Sequence, residues 1–353
     1  MNDSAAVRPA PATHAPLQFP FPDVPAPGTT FELAPGVLWV RMPLPFALDH
    51  INLWILRDGD GWTLIDCGLN SQRTREAWEA VFPTLLGSGG VNRVLVTHFH
   101  PDHIGLAGWL TARFGVELWM TEAEFLITHA SYAQLPGHTK DDGLKLFLRH
   151  GLDGARAEAM RAHPHAYHRA IGEPPSCFRR ILNGDVIDIG GRCWQVITGY
   201  GHAPEHAALY CEELALLISG DMVLPKISTN VSVWAEQPEG DPLNLFLRSI
   251  ERYAQLPAAT LVLPSHGLPF RGLQARAAAL DAHHAARLEE VLAACRQPTA
   301  AAQILPVLFR RELDDHQMSF AMGEAIAHLN HLMYQRKLTR DQGPGGVLRF
   351  TAA

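Results

Sequence analysis

The chain has 353 residues, of which 47% are apolar and 18% charged, and its formal net charge is −7. This is room for one large α/β domain plus a small second one, with enough apolar residues for a sizeable core, so wholesale disorder is excluded. Nothing in the acidic balance points to a dedicated nucleic-acid binder, which would usually carry a basic face, and a local basic groove for RNA stays open.

Residues 1–30 are rich in Ala and Pro and read as an extended arm. They hold no basic segment followed by an apolar run, so no secretory signal is read, and no stretch of the chain is apolar enough to span a bilayer. A cytoplasmic protein is expected. Five scattered cysteines, Cys67, Cys177, Cys193, Cys211 and Cys295, contain no C-x-x-C pair and read as free thiols.

From position 31 the signals are β-like. Apolar runs at 51–56 and 62–65 flank Asp58-Gly59-Asp60-Gly61, a hairpin signal, because glycine tolerates the positive φ of tight turns. The spacing predicts a helix over 71–82, a short buried strand over 93–97, a helix over 104–114 and a strand over 116–120. Thr121-Glu122-Ala123-Glu124 then resembles a capping box opening another helix. Residues 125–180 differ in character, with His129, His138, His150, His163, His165 and His168, and read as a helical insertion, a polar lid. His163-Pro164-His165 and His168 are the candidates there for extra metal ligands. Strands resume at 194–198 and 214–219. Asp241-Pro242 opens a helix, since a proline in the first turn loses no hydrogen bond. A strand over 260–263 ends at Pro264-Ser265-His266-Gly267. After about position 278 the pattern is mainly helical, with Met322, Ile326, Leu329 and Met333 on one face, then a Gly-rich turn and a small β wing near 347–350. The division expected is therefore an arm over 1–30, a catalytic domain over 31–278 and a C-terminal domain over 279–353.

The chemistry is concentrated in Thr97-His98-Phe99-His100-Pro101-Asp102-His103. Four metal-ligand side chains fall within six residues, between a strand and a helix, where a loop lets them converge. Imidazole with carboxylate suits zinc, iron or manganese, and zinc binds such donors at about 2.0–2.2 Å. Three more candidates repeat the design: His202 in Gly201-His202-Ala203-Pro204, Asp221 in Ser219-Gly220-Asp221, and His266. Each follows a strand and lies beside a glycine. Side chains at strand ends can meet at one edge of a sheet.

In these motifs, over roughly residues 31–270, the sequence resembles the metallo-β-lactamase superfamily. Leu64-Ile65-Asp66-Cys67-Gly68 is similar to its first motif, His98 to His103 to its second, and His202, Asp221 and His266 to its third, fourth and fifth, in order. The resemblance implies a four-layer αβ/βα sandwich with the site at one edge of the sheets. It implies that His98, His100 and His202 hold one metal, Asp102, His103 and His266 a second, and that Asp221 bridges them, with Asp66 orienting a ligand. Two metals about 3.5–4 Å apart can share a hydroxide and clamp a reacting group, with Asp102 helping to orient the nucleophile. The expected cofactor is thus two divalent ions, zinc before iron or manganese.

The run His202-Ala203-Pro204-Glu205-His206 departs from the glycine that many thioesterases and β-lactamases of the family carry there. Glu205 and His206 are taken as substrate contacts. Residues 279–353 resemble the winged-helix-like appendage of the mammalian mitochondrial β-lactamase-like endoribonuclease, and packing on the core or on a homodimer partner is the role expected of them. The leading expectation is hydrolysis of an ester-like bond in a small molecule, a thioester of coenzyme A or glutathione. RNA cleavage, using Lys226, Arg179, Arg180 or Arg149 for phosphate, lactone hydrolysis and single-iron persulfide oxidation are the alternatives.

Overall fold

The structure is a computed structural model and describes residues 16–87, 89–162 and 167–353. Thirteen of its strands form two sheets. The first runs β1 (Phe31–Ala34), β2 (Val37–Pro43), β3 (His50–Asp58), β4 (Gly61–Ile65), β5 (Val91–Leu95), β6 (Leu118–Met120) and β7 (Arg179–Arg180) in spatial order. The second runs from β8 (Val186–Ile189) through β9 (Arg192–Gly199), β10 (His206–Cys211), β11 (Leu216–Gly220) and β12 (Leu261–Pro264) to β13 (Phe270–Arg271). Around them lie α1 (Gln72–Leu86), α2 (Pro101–Ile104), α3 (Ala107–Phe114), α4 (Glu122–Tyr132), α5 (Lys140–Arg149), α6 (Gly154–Ala162), α7 (Tyr167–Ala170), α8 (Pro242–Tyr253), α9 (Leu273–Ala294), α10 (Ala301–Leu308) and α11 (Asp315–Tyr334). A hairpin of β14 (Leu338–Gln342) and β15 (Leu348–Ala352) ends the chain.

The layering follows from side-chain alternation along buried strands. In β2, Val37 and Trp39 face one way and Leu38, Val40 and Met42 the other. The first pair joins Trp54, Ile65, Trp194, Leu209, Ile218 and Leu263 in a core between the two sheets. The second set packs on Trp78, Phe82 and Leu85 of α1 and Leu110 of α3. The far face of the second sheet, with Ala208, Tyr210, Leu217 and Val262, packs on α8, α9 and the C-terminal helices. Helix, sheet, sheet and helix thus stack as the four-layer sandwich expected.

Most expected elements are present. The hairpin turns at Gly59-Asp60 between β3 and β4, with Gly59 at φ +60°. Ser71 caps α1, its hydroxyl accepting from the Thr74 amide at 3.1 Å. β10 escaped the sequence reading because all six of its residues are buried, leaving no polar alternation. The arm, described from residue 16, pairs Gln18 with Arg271 of β13.

The insertion between β6 and β7 is helical, as expected, and the C-terminal part is helical with a two-stranded wing. Position 278 lies inside α9, which runs unbroken across it. The same apolar cluster takes in Phe147 and Met160 of the insertion, Phe246 of α8, Leu280 of α9, Ile304 of α10, and Met322 and Leu329 of α11. Insertion, catalytic core and C-terminal helices therefore share one interior.

That interior contains imidazoles. His284 of α9 and His328 of α11 are fully buried and meet Nδ1 to Nε2 at 3.4 Å. Burial, then the neighbouring histidines, holds His284 down to about 3, and burial holds His328 down to about 4. Both fold as neutral rings, so the stability they contribute is present above about pH 6.5, the unfolded value, and is lost as pH falls towards 4. In denaturant titrations, His284→Gln should therefore lose less stability than the unmodified chain between pH 6.5 and 4; parallel losses would contradict this.

Candidate metal centre

The candidate ligands stand on loops at one edge of the sandwich. β5 ends at Leu95, and the chain then carries His98, His100, Asp102 and His103 into α2. His202 follows β9, Asp221 follows β11 and His266 follows β12. β11 and β12 run parallel, so their C-terminal ends, and the two ligands after them, lie side by side.

The seven side chains form two groups that could each hold a metal ion: His98, His100, His202 and Asp221, and Asp102, His103 and His266. In the first group His98 Nε2 lies 2.9 Å from His100 Nδ1 and 3.2 Å from His202 Nε2. In the second, His266 Nε2 is 3.4 Å and His103 Nε2 3.9 Å from an Asp102 oxygen. Asp221 touches both groups. Its Oδ2 is 3.5 Å from His202 and 3.6 Å from His103, and its Oδ1 is 3.4 Å from His266.

The outer nitrogens decide which ring atoms carry protons. His202 Nδ1 donates to the Asn230 carbonyl at 2.8 Å, and His266 Nδ1 to the His50 carbonyl at 2.8 Å, because a carbonyl only accepts. The Thr97 hydroxyl donates to Asp66 Oδ2 at 2.9 Å, so at 3.0 Å it accepts from His98 Nδ1. His98 and His202 then face each other with bare nitrogen lone pairs 3.2 Å apart. Such a contact repels unless a proton or a cation lies between the atoms. His100 Nε2, His103 Nε2 and Asp221 Oδ1 are also buried without hydrogen-bond partners. Converging imidazole and carboxylate donors, several of them orphaned and out of water, fit a divalent cation.

The charges divide the same way. Burial, then the surrounding imidazoles, pushes His98 well below the ordinary histidine value and His100 down to about 3. Burial opposes charge at His103 too, but Asp66, Asp102 and Asp221 outweigh it and raise that imidazole well above its usual value. His266 is likewise raised, against burial, to about 10 by Asp221 and Asp102. In turn His103 and His266 overcome burial to hold Asp102 down to about 2 and Asp221 well below the carboxylate range. Cations and these protons compete for the same atoms.

Asp66 sits at φ +65°, in the left-handed region, just after β4. Its Oδ2 accepts from His103 Nδ1 at 2.8 Å and its Oδ1 from the Thr97 amide at 2.7 Å. Carboxylate–histidine pairs of this kind fix a ligand's tautomer and ring plane. The two residues expected to touch substrate part company. Glu205 is half-buried at the rim, with its amide turned inward. His206 is fully buried at the start of β10, its ring 4.9 Å from that of His98 and its Nε2 3.3 Å from the Asp221 amide. A ring so placed supports the ligands from behind, and the expected substrate contact does not fit it. Gly220, at φ +53°, has to be glycine here, since a Cβ would lie 2.1 Å from His206 Nε2.

The capping box expected at Thr121 is absent. The Thr121 hydroxyl donates to the Glu205 carbonyl at 2.8 Å, and Glu124 accepts from the amides of Phe99 and Glu205. Burial pushes the Glu124 carboxyl up to about 8. Asn52 was also missed. It is fully buried in β3, and its amide donates to the carbonyls of Pro264 and Gly267 at 2.9 and 2.8 Å, pinning the loop that carries His266. His163-Pro164-His165 lies outside the described residues, and His168 joins no such ligand group among those described.

The family model "Metallo-beta-lactamase superfamily" matches residues 47–266, and "Metallo-beta-lactamase-like, C-terminal domain" matches 288–353. A crystal structure of a beta-lactamase domain protein from Burkholderia ambifaria is 52% identical, covers 96% of this chain and 98% of its own, and superposes with a TM-score of 0.89. A metallo-beta-lactamase family protein from Thermus thermophilus is 32% identical over 91% of this chain and 100% of its own, with a TM-score of 0.77. A probable metallo-hydrolase, YqjP, of Bacillus subtilis (strain 168) is 27% identical over 309 residues, 86% of this chain and 94% of its own. The chain belongs to the metallo-beta-lactamase superfamily.

Proposed function

We propose that this metal-dependent hydrolase cleaves a thioester of a small acyl carrier such as coenzyme A or glutathione, with His98, His100 and His202 holding one ion, Asp102, His103 and His266 another, and Asp221 between them. The observation that carries the reading is the confrontation of bare imidazole nitrogens described above, together with an Asp221 carboxylate that reaches both groups. A pair of divalent cations there would supply Lewis acidity, making water acidic near pH 7 and polarising a carbonyl. Zinc suits the donor set.

The chain's own residues do the rest. Asp66, Asn230 and the His50 carbonyl lock three of the rings in the tautomer that points Nε2 inward. Asp102 has 19% of its side chain exposed and Asp221 11%. Water and substrate reach the cluster past them, and Asp102 is placed to accept a hydrogen bond from an incoming water. Cys67 is no alternative nucleophile. It is buried, and burial, then Asp66, pushes its thiol well above the ordinary range. Acyl transfer therefore goes to water. A thiolate, with a pKa of about 8.5, is a leaving group that departs without a general acid.

Two of the basic residues that RNA cleavage would need are occupied elsewhere. Arg180 pairs with Glu122 at 2.9 Å and Arg179 lies over the Trp119 ring, both at the edge of the first sheet. This favours the small-molecule reading.

Elemental analysis of protein purified without added metal should find about two divalent ions per chain. His100→Ala and Asp221→Ala should lower that content and reduce turnover by at least about 100-fold, and full occupancy with unchanged turnover in both would contradict the assignment. Asp66→Asn should cost about 10–100-fold in metal affinity, the scale for outer partners of ligands. Release of free thiol from acyl-CoA or acyl-glutathione tests the substrate class, and no turnover across a broad thioester panel by metal-replete enzyme would overturn it.

A further inference from the structure

Helix α4 opens the insertion expected to serve as a lid, yet its first turn is built into the site. Glu124 is fully buried, and among the described residues it has no ion pair with Lys or Arg. Its Oε2 accepts from the Phe99 amide at 2.9 Å and its Oε1 from the Glu205 amide at 2.6 Å. Phe99 stands between His98 and His100, and Glu205 follows His202 by three residues. One carboxylate thus joins the two loops that carry all three histidines of the first group. Two hydroxyls of the same insertion hold the same two residues by their carbonyls: Thr121 donates to the Glu205 carbonyl at 2.8 Å and Tyr167 to the Phe99 carbonyl at 2.6 Å.

A carboxylate without a cationic partner is costly to bury. What a carboxyl offers over a glutamine, ionised or protonated, is an acceptor oxygen for each of the two amides. An amide of the same shape would turn its NH2 group towards one of the two amides and leave that loop unheld. The side chain chosen is therefore the one that can hold both loops at a set separation.

We propose that Glu124 is a positioning residue that fixes the spacing of His98, His100 and His202 and so the affinity and geometry of the first metal site. This rests on the reading that those histidines hold a metal ion, and the test separates the two. Cobalt(II) is added to the full metal-free chain, and its two equivalents are followed by chelator competition and by d–d absorption. Glu124→Gln should remain folded and bind one equivalent as the unmodified chain does. It should bind the other about 10–100-fold more weakly, with an altered d–d spectrum and a lower kcat at similar KM. Thr63→Val, which removes a buried hydroxyl in the middle of β4 that donates to Asp58 at 2.8 Å, is the control for lost stability alone and should leave both equivalents and the spectrum unchanged. If Glu124→Gln binds both equivalents with unaltered affinity and spectrum while His100→Ala loses one, the proposal is overturned and the metal reading stands. An unmodified chain that takes up no cobalt overturns both.

Discussion

Two imidazole nitrogens held 3.2 Å apart, each ring fixed through its other nitrogen, are the constraint to which the rest of this structure answers. Left alone, His98 and His202 would turn away from each other. Each is prevented by a bond at its other nitrogen, to Thr97 and to the Asn230 carbonyl, and those partners are held in turn. Thr97 is fixed by Asp66 through both its amide and its hydroxyl. Repulsion among the inner atoms is thus stored by a rigid outer frame, which is the arrangement that preorganises a site for a cation.

The sandwich supplies that frame by its topology. Parallel pairing of β4 with β5 and of β11 with β12 brings like ends of successive strands to one edge, and the loops after them must turn there. Short crosslinks then tie one loop to the next. The Cys67 amide donates to the His103 carbonyl at 2.7 Å, the Ala207 amide to the Thr97 carbonyl at 2.8 Å, and the Asn52 amide to the Ser265 carbonyl at 2.7 Å. The second and third of these span the two sheets. Gly105 shows how tight the packing is, since a Cβ there would fall 2.4–2.6 Å from backbone atoms of Pro101, Gly68 and Asn70.

The parts of the site legible in the sequence are those whose partners are near in the chain or whose side chains are themselves the donors. His98 to His103 is one contiguous loop, and His202, Asp221 and His266 each advertise a strand end beside a glycine. The outer frame is illegible for a physical reason. Glu124 acts on backbone amides 25 and 81 residues away, and any residue can present an amide. Its spacing from Thr121 pointed to local capping, and tertiary contacts claimed both side chains first. His206 was misplaced because a buried strand with no alternation looks like the continuation of a loop. Of the fold, the layers could be read from alternation and helical spacing, whereas the sharing of one core by the insertion and the C-terminal helices could not, because apolar faces do not name their partners.

That shared core changes what the C-terminal part does. The Val233 amide donates to the Gly323 carbonyl of α11 at 3.1 Å, the Ser232 hydroxyl to that of Phe320 at 3.3 Å, and the Asn230 side chain to Glu324 at 3.3 Å. The segment so braced is the one that presents the Asn230 carbonyl to His202, and its Thr229 hydroxyl donates to the Asp221 carbonyl. α11 therefore reaches two of the seven candidate ligands through a single peptide layer. On the other flank Arg156 of α6 pairs with Asp315 of α11 at 3.2 Å and donates to the Leu313 carbonyl at 2.6 Å, fastening the insertion to the same helix. The insertion is thereby tied to the same helix that braces the partners of His202 and Asp221.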